Sequence, residues 1–328
     1  RMALTPSSVE YRLATLDGEG PWCEWVRGMG REPVVFGCRR VAGEHGKFGW
    51  RALVAVWHYV RRERIDVIYV CGIRAAFVVR WLKIFMPGVR LVQGVRWNPD
   101  SGSRLDRGFR FAERWFHGLV DGYITNSNVA ADTLIQRCKV PKQCVQVIYN
   151  GLAEIPADPP SLAERPLEVL TVANLNPRKG HRDYLKAVRL VLAAVPEARF
   201  VFVGRDDMDG EIQHAIDSAG LSHAVHCEGF HDDVSAYFLR ARVCVLPSLW
   251  GEGCPTSLLE SLAWGVPVVA YAVDGVAELI DHEVNGFLVS PGNKKTLAAQ
   301  IVTLLSNMEL AVSYGQIGRK KILEQFSI

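Results

Sequence analysis

The stretch RVCVLPSLWGEGCPTSLLESLAWGVPVVAY, residues 242–271, holds a complete strand–loop–helix–strand pattern. Its two ends, RVCVLPS (242–248) and VPVVAY (266–271), are short valine-rich runs, the composition of strands buried on both faces. SLWGEGCP reads as a loop, after which Thr256 or Ser257 caps a short helix, with Pro255 just outside it or in its first turn. Gly265 and Pro267 stop that helix. Leu258, Leu259, Leu262 and Ala263 mark its apolar side; Ser257, Glu260, Ser261 and Trp264 mark the other. Two such strands joined by a helix predict a parallel βαβ unit.

The same alternation extends in both directions. Further strands are expected at YRLATL (11–16), PVVFG (33–37), DVIYVCG (66–72), RLVQGV (90–95), GYITNS (122–127) and VQVIYNG (145–151). A second series runs LEVLTVANL (167–175), ARFVFVG (198–204), AVHCEGF (224–230), the opening pair, and NGFLVS (285–290). Helical patterns lie between them, as at 51–64 and 105–118. AEIPADPPSLAERPL (153–167) interrupts the series with four prolines and reads as a linker. The expected class is α/β: two Rossmann-like, doubly wound parallel-sheet domains facing a cleft. They occupy residues 1–152 and 167–328, with a linker at 153–166, and 328 residues suffice for two cores.

Charge is unevenly spread. Residues 1–150 hold 23 Lys and Arg against 13 Asp and Glu, while the remainder holds 15 against 22. A basic half is either a solvated surface or the footprint of an anionic partner, such as a membrane surface or a phosphate-bearing acceptor. The run AAFVVRWLKIFM (75–86), with Arg80 and Lys83 inside it and Arg74 and Arg90 beside it, is too short and too charged to span a bilayer. It can lie on a membrane surface or form an ordinary helix packed on a sheet. The eight cysteines form no CxxC pair and no Cys/His cluster of zinc spacing, which fits a reducing cytoplasm.

Ligands of open parallel sheets collect beyond the carboxyl ends of the strands. Glu252 falls there, after RVCVLPS, and Glu260 follows one turn into the helix, whose first amides suit a phosphate or sugar oxygen. Asn174, Arg178 and Lys179 in TVANLNPRKG (171–180) follow another strand, and a lysine there can neutralise a diphosphate. Asp207 and Asp209 form a DxD pair in FVFVGRDDMDG (200–210), which we read as a turn and not a metal site.

These residues resemble the family 4 retaining glycosyltransferases of GT-B fold, the glycosyl transferases group 1. The resemblance rests on TVANLNPRKGHRDYLKAV, on FVFVG ending at Gly204, and on HCEGFHDDVSAYFLRARVCVLPSLWGEGCPTSLLESLAWGVPVVAYAVDGVAELIDHEVNGFLVSPG. The spacing of Glu252 and Glu260 is that family's E-x7-E motif. DGYITNSNVAADTLI and VIYNGL match the end of its acceptor domain more loosely.

The resemblance implies that Glu252, with the amides of Gly253, Cys254 and Pro255, binds hydroxyls of the transferred sugar. It implies that Glu260 takes the ribose diol and that Lys179 stabilises the departing diphosphate without a metal or other cofactor. Gly204, Gly229, Phe230 and Thr256 complete the implied donor site, and Glu278 matches a carboxylate of lesser role. Asn174 stands where the family has an arginine, a charge that Arg178 can supply. Arg96 occupies the acceptor-side loop in place of a histidine. The family's first strand and Gly-rich loop are expected to precede Arg1, and its returning helix to follow Ile328, so the chain reads as truncated.

The implied partners are a UDP-, GDP- or ADP-sugar, a glycan or lipid-phosphate-linked acceptor, and an anionic membrane surface, at the inner face of the cell membrane. No nucleic acid is implied. The alternative is a non-catalytic sugar-nucleotide-binding or scaffold protein of the same fold. A nicotinamide oxidoreductase is disfavoured, because no G-x-G-x-x-G follows an early strand.

Overall fold

A computed structural model describes residues 9–16, 18–37, 50–100 and 103–328. By its contacts the chain divides into two compact units. The first comprises Arg1–Val95, Arg104–Ile124 and Leu134–Gln146. The second comprises Arg96–Ser103, Thr125–Thr133 and Val147–Ile328.

The elements of the first half are, in order, β1 (Ala14–Thr15), α1 (Pro21–Gly28), β2 (Val34–Val35), α2 (Trp50–Arg62), β3 (Val67–Cys71), α3 (Ile73–Val79), α4 (Leu82–Phe85), β4 (Arg90–Val95), α5 (Arg104–Phe116), β5 (Gly122–Thr125), α6 (Asn128–Asp132) and β6 (Val145–Val147). One sheet was expected here; the described residues form two. β1 and β2 pair in parallel, and a separate four-stranded sheet runs β3-β4-β5-β6. Edge strand β3 leaves Val67 and Tyr69 exposed, so its apolar run is covered on one side only.

The basic residues within 75–86 turn inward. Arg80, at the end of α3, is buried and donates to Glu113 of α5 at 2.5 Å and to Gln93 of β4 at 3.1 Å. Glu113 also accepts from Gln93 at 3.1 Å and from the Tyr123 hydroxyl at 2.6 Å. A buried ion pair needs such additional donors to offset its desolvation. Lys83 donates to Asp121 at 2.6 Å and to the Val89 carbonyl at 2.8 Å. Ala76, Val78, Val79 and Leu82 are buried, so the segment is a pair of helices packed within the unit.

The second unit continues with β7 (Glu168–Val172), α7 (His181–Ala194), β8 (Arg199–Val203), α8 (Glu211–Ser218), β9 (Val225–Gly229), α9 (Ser235–Arg240), β10 (Val243–Leu246), α10 (Thr256–Ala263), β11 (Val268–Tyr271), α11 (Val276–Leu279), β12 (Gly286–Val289), α12 (Lys294–Ser306) and α13 (Met308–Gln325). Its six strands pair in parallel in the order β12-β11-β10-β7-β8-β9. Every residue of β10 and β11 is buried, as their valine-rich runs require. The chain moves outward from β7 through β8 and β9, then returns to the other side of β7 with β10. That reversal falls between the neighbouring strands β7 and β10, whose following loops border the usual place for a ligand in such a sheet.

The proline-rich segment is not a free tether. Leu162 is buried, and the Arg165 guanidinium donates to the carbonyls of Pro160 (2.7 Å), Phe238 (2.9 Å), Ala241 (3.1 Å) and Trp264 (3.2 Å). Among the described residues no single helix is long and apolar enough to cross a membrane. α12 and α13, bent by 100° at their junction, are apolar together, but Leu297, Ile301, Leu304 and Ile322 belong to the core of the second unit. Cys23, Cys71, Cys144, Cys227 and Cys244 are free thiols; Cys38 lies outside the described residues.

Candidate active site

The loops after β7 and β10 are stitched together at the strand-order reversal. A turn at Pro177–Lys179 ends in Gly180, whose φ of 72° is left-handed. A Cβ at Gly180 would strike the carbonyl of Pro247, so only glycine lets the two loops approach this closely. The Leu249 amide donates to the Arg178 carbonyl at 2.8 Å. Within this junction Glu252 is 5% exposed. Its Oε1 receives the Lys179 ammonium at 2.6 Å and Arg178 Nη1 at 3.3 Å, and Arg178 also donates to the Gly251 carbonyl at 2.9 Å. Burial holds the Lys179 pKa below the usual lysine value, and the Glu252 carboxylate opposes that shift. His181, one residue past Gly180, is buried; burial brings it down to about 4, with the Lys179 charge adding to the effect, so its imidazole is neutral.

The sequence reading missed the residue that fixes this loop. Asp274, in the turn after β11, accepts from the amides of Gly251 (2.6 Å) and Glu252 (3.1 Å) through Oδ2. Its Oδ1 accepts from Asn98 at 2.5 Å, and Asn98 in turn accepts from the Thr133 hydroxyl at 2.8 Å. Asp274 does this from a left-handed backbone, φ 46°, which is uncommon outside glycine but which aspartate adopts more readily than most residues. Next to it Gly275 packs backbone to backbone on Gly253: a Cβ on Gly275 would strike the Gly253 carbonyl, and one on Gly253 would strike Asn126. Asp-Gly in AVDGVAEL signals a turn, but nothing local signals what that turn holds.

Other expected residues fall around this centre. Cys254 is buried, and its carbonyl accepts from Asn150 at 2.6 Å; Asn150 accepts from Arg96 at 2.8 Å. Arg96 thus joins the second unit and borders the Gly253 loop. Pro255 has no N–H, so only the amides of Gly253 and Cys254 can donate to a ligand. The start of α10 also differs from expectation. Pro255 itself is the N-cap, no side chain caps the helix, and Thr256 is exposed. Ser261 is buried and donates to the Val266 carbonyl at 3.0 Å, so it does not share a solvent face with Glu260. Glu260 is partly buried, and no hydrogen bond to its carboxylate is found among the described residues. Burial pushes it up to about 7, with the Asp233 carboxylate contributing.

Asn174 and Gly204 lie side by side: Asn174 accepts from the Arg205 amide at 3.1 Å, and a Cβ on Gly204 would strike the Ala173 carbonyl. The Gly204 amide donates to the Gly229 carbonyl at 2.8 Å, and Phe230 beyond it is 60% exposed. Neither Phe230 nor Thr256 contacts Glu252 through a hydrogen bond. Glu278 accepts from the Asn128 amide (2.9 Å), the Val129 amide (3.1 Å) and the Tyr149 hydroxyl (2.6 Å), a role in joining segments. Asp207 pairs with Arg205 at 2.7 Å, and Asp206 accepts from the amides of Met208 and Gly210, as a turn requires.

The family models divide the chain in two. That of glycosyl transferases group 1 matches residues 156–321, and that of glycosyltransferase family 4 matches residues 3–153. The amylovoran biosynthesis glycosyltransferase AmsK of Erwinia amylovora is 30% identical over 170 residues, 50% of this chain and 42% of that protein. The putative colanic acid biosynthesis glycosyltransferase WcaL of Escherichia coli is 28% identical over 188 residues, 54% of this chain and 46% of that one. The chain thus spans about half the length of these curated relatives. Among solved structures, HepE of Anabaena in complex with UDP-glucose superposes with a TM-score of 0.79 at 22% identity, covering 94% of this chain and 86% of HepE. With both halves matched in order and the two-unit α/β architecture shared, the chain belongs to the glycosyl transferases group 1 family, the family 4 glycosyltransferases of GT-B fold.

Proposed function

We propose that the chain is a retaining glycosyltransferase. It moves a hexose from a nucleotide-diphosphate sugar to a glycan or lipid-phosphate-linked acceptor in the synthesis of a cell-surface polysaccharide. The relatives named for amylovoran and colanic acid synthesis support the acceptor class, and the UDP-glucose complex of HepE makes a UDP-sugar the first donor to try. The observation that carries the reading is the buried Glu252 carboxylate held by the partly buried Lys179 and Arg178 at the strand-order reversal.

An ammonium has three donors. Glu252 takes one from Lys179 and leaves two for a diphosphate, while its second oxygen and the amides of Gly253 and Cys254 are available to sugar hydroxyls. As the glycosidic bond breaks, charge builds on the departing phosphate. Lys179 and Arg178, already in place, stabilise that charge without reorganising. Glu260, eight residues on, accepts from both ribose hydroxyls, and Gly204, Gly229 and Phe230 border the base. The two cations replace a divalent metal in this role.

The purified chain is tested by saturation-transfer NMR against UDP-, GDP- and ADP-sugars, then by following the anomeric signal of the product. One donor is expected to bind, to be consumed in the presence of EDTA, and to give a product of unchanged anomeric configuration. Lys179→Ala is expected to lower turnover about 100-fold or more. Binding of no donor would favour a scaffold. An inverted product would exclude retention, and activity lost in EDTA but restored by manganese would exclude the metal-free route.

A further inference from the structure

We propose that Arg96 reads a carboxylate on the transferred sugar, so that the donor is the nucleotide-diphosphate derivative of a hexuronate. The proposal rests on the donor-site reading above and narrows its sugar from a hexose to a hexuronate.

Arg96 directly follows β4 and folds with the second unit. Its backbone carbonyl lies 3.0 Å from where a Cβ on Gly253 would stand, so it borders that side of the loop. Its guanidinium donates through Nη2 to Asn150 Oδ1 at 2.8 Å, and Asn150 Nδ2 donates to the Cys254 carbonyl at 2.6 Å. Asn150 is buried with both ends of its carboxamide engaged. The guanidinium is thereby tied, through one fixed side chain, to the backbone of the loop that carries Glu252.

Its charge has no counterpart in the chain. A guanidinium has five N–H donors. Among the described residues its one hydrogen-bond partner is Asn150, which is neutral, and no carboxylate pairs with it. The acids around this loop are engaged elsewhere. Glu252 holds Lys179 and Arg178, Asp274 holds two amides and Asn98, and Glu278 holds Asn128 and Tyr149. Arg96 is exposed, and so is open to a ligand.

Positive charge therefore meets the loop at both ends. Arg178 and Lys179 reach Gly251 and Glu252, while Arg96 borders Gly253 and is tied to Cys254. A nucleotide hexose is negative at one end only, at the diphosphate on C1. A nucleotide hexuronate adds a carboxylate at C6, across the ring from that diphosphate. The planar guanidinium fork matches a carboxylate with two parallel hydrogen bonds. An acceptor phosphate would also attract a guanidinium. The sugar is favoured because Arg96 is tied to the loop whose free amides face the transferred sugar.

The test is titration calorimetry of the full chain, without acceptor, against matched donors. The pairs are UDP-glucuronate and UDP-glucose, UDP-galacturonate and UDP-galactose, and GDP-mannuronate and GDP-mannose. In one pair the uronate is expected to bind about tenfold or more tighter than its neutral partner. Arg96→Gln keeps an amide donor for Asn150 but removes the charge. It is expected to bring that pair to equal affinity, by weakening the uronate alone, at unchanged thermal midpoint. Arg96→Lys, which keeps the charge and loses the fork, is expected to retain part of the preference. A loop merely loosened by substitution would weaken both members alike and keep their ratio, which would overturn the proposal. It is equally overturned if the wild-type chain binds the neutral member of every pair at least as tightly. It also fails if Arg96→Gln leaves donor affinities unchanged and raises KM for a lipid-phosphate acceptor instead. Binding of no nucleotide sugar at all would remove the donor-site reading itself, and this proposal with it.

Discussion

Glu260 occupies an environment that disfavours its charge: it is partly buried, faces the field of Asp233, and is raised to about 7. A ribose diol donates to an ionised carboxylate and gains less from a protonated one. The affinity for an intact nucleotide sugar should therefore fall about tenfold between pH 8 and pH 6, measured by titration calorimetry, and Glu260→Gln should flatten that dependence. Stability should move the opposite way. A folded pKa above the unfolded value favours the fold below about pH 4.5, and that advantage is lost as pH rises to 7. Relieving the charge with Glu260→Gln should thus stabilise the chain at pH 8, by about 1–3 kcal/mol, seen as a higher thermal midpoint. A residue that weakens the fold while serving a ligand is what a binding site produces.

At the scale of elements, the turn after β11 supports the loop after β10. Asp274→Ala removes the acceptor of two amides and of Asn98, so Glu252 should lose its fixed position relative to Lys179. We expect kcat to fall about 10- to 100-fold with a smaller change in donor affinity, and Asp274→Asn to recover part of the loss; lower donor affinity with kcat unchanged would show that Asp274 acts on binding alone. This dependence was not legible in the sequence, whereas the strands and the Glu252–Glu260 spacing were. A valine run and an eight-residue spacing are local patterns. Asp274 gains its meaning from a left-handed backbone and from partners at positions 98 and 251, which only the closed fold brings together. Ser261 was misread for a similar reason. Its hydroxyl bonds the carbonyl five residues later, so polarity did not mean exposure. The packing of 153–166 likewise depends on four carbonyls, one from the segment itself and three from the ends of α9 and α10, meeting Arg165.

At the scale of the molecule, the second unit gathers chain from three stretches, 96–103, 125–133 and 147–328. A fragment starting at residue 153, where composition suggests a boundary, would leave Glu278 without Asn128 and Tyr149, and Cys254 without Asn150. Such a fragment should unfold at lower denaturant than the full chain and bind nucleotide sugar more weakly, measured by urea titration followed by tryptophan fluorescence and by calorimetry. The uneven charge has a structural counterpart, since α5 buries its acids and shows its arginines. The backbone contact between Gly253 and Gly275 sets terms for anyone wishing to retarget the proposed donor site to another sugar. Neither glycine can be randomised alone, because each leaves no room for a side chain on its side. A library aimed at donor choice is better placed at Trp250 and Thr256, whose exposed side chains border the same loop and can change size without moving it.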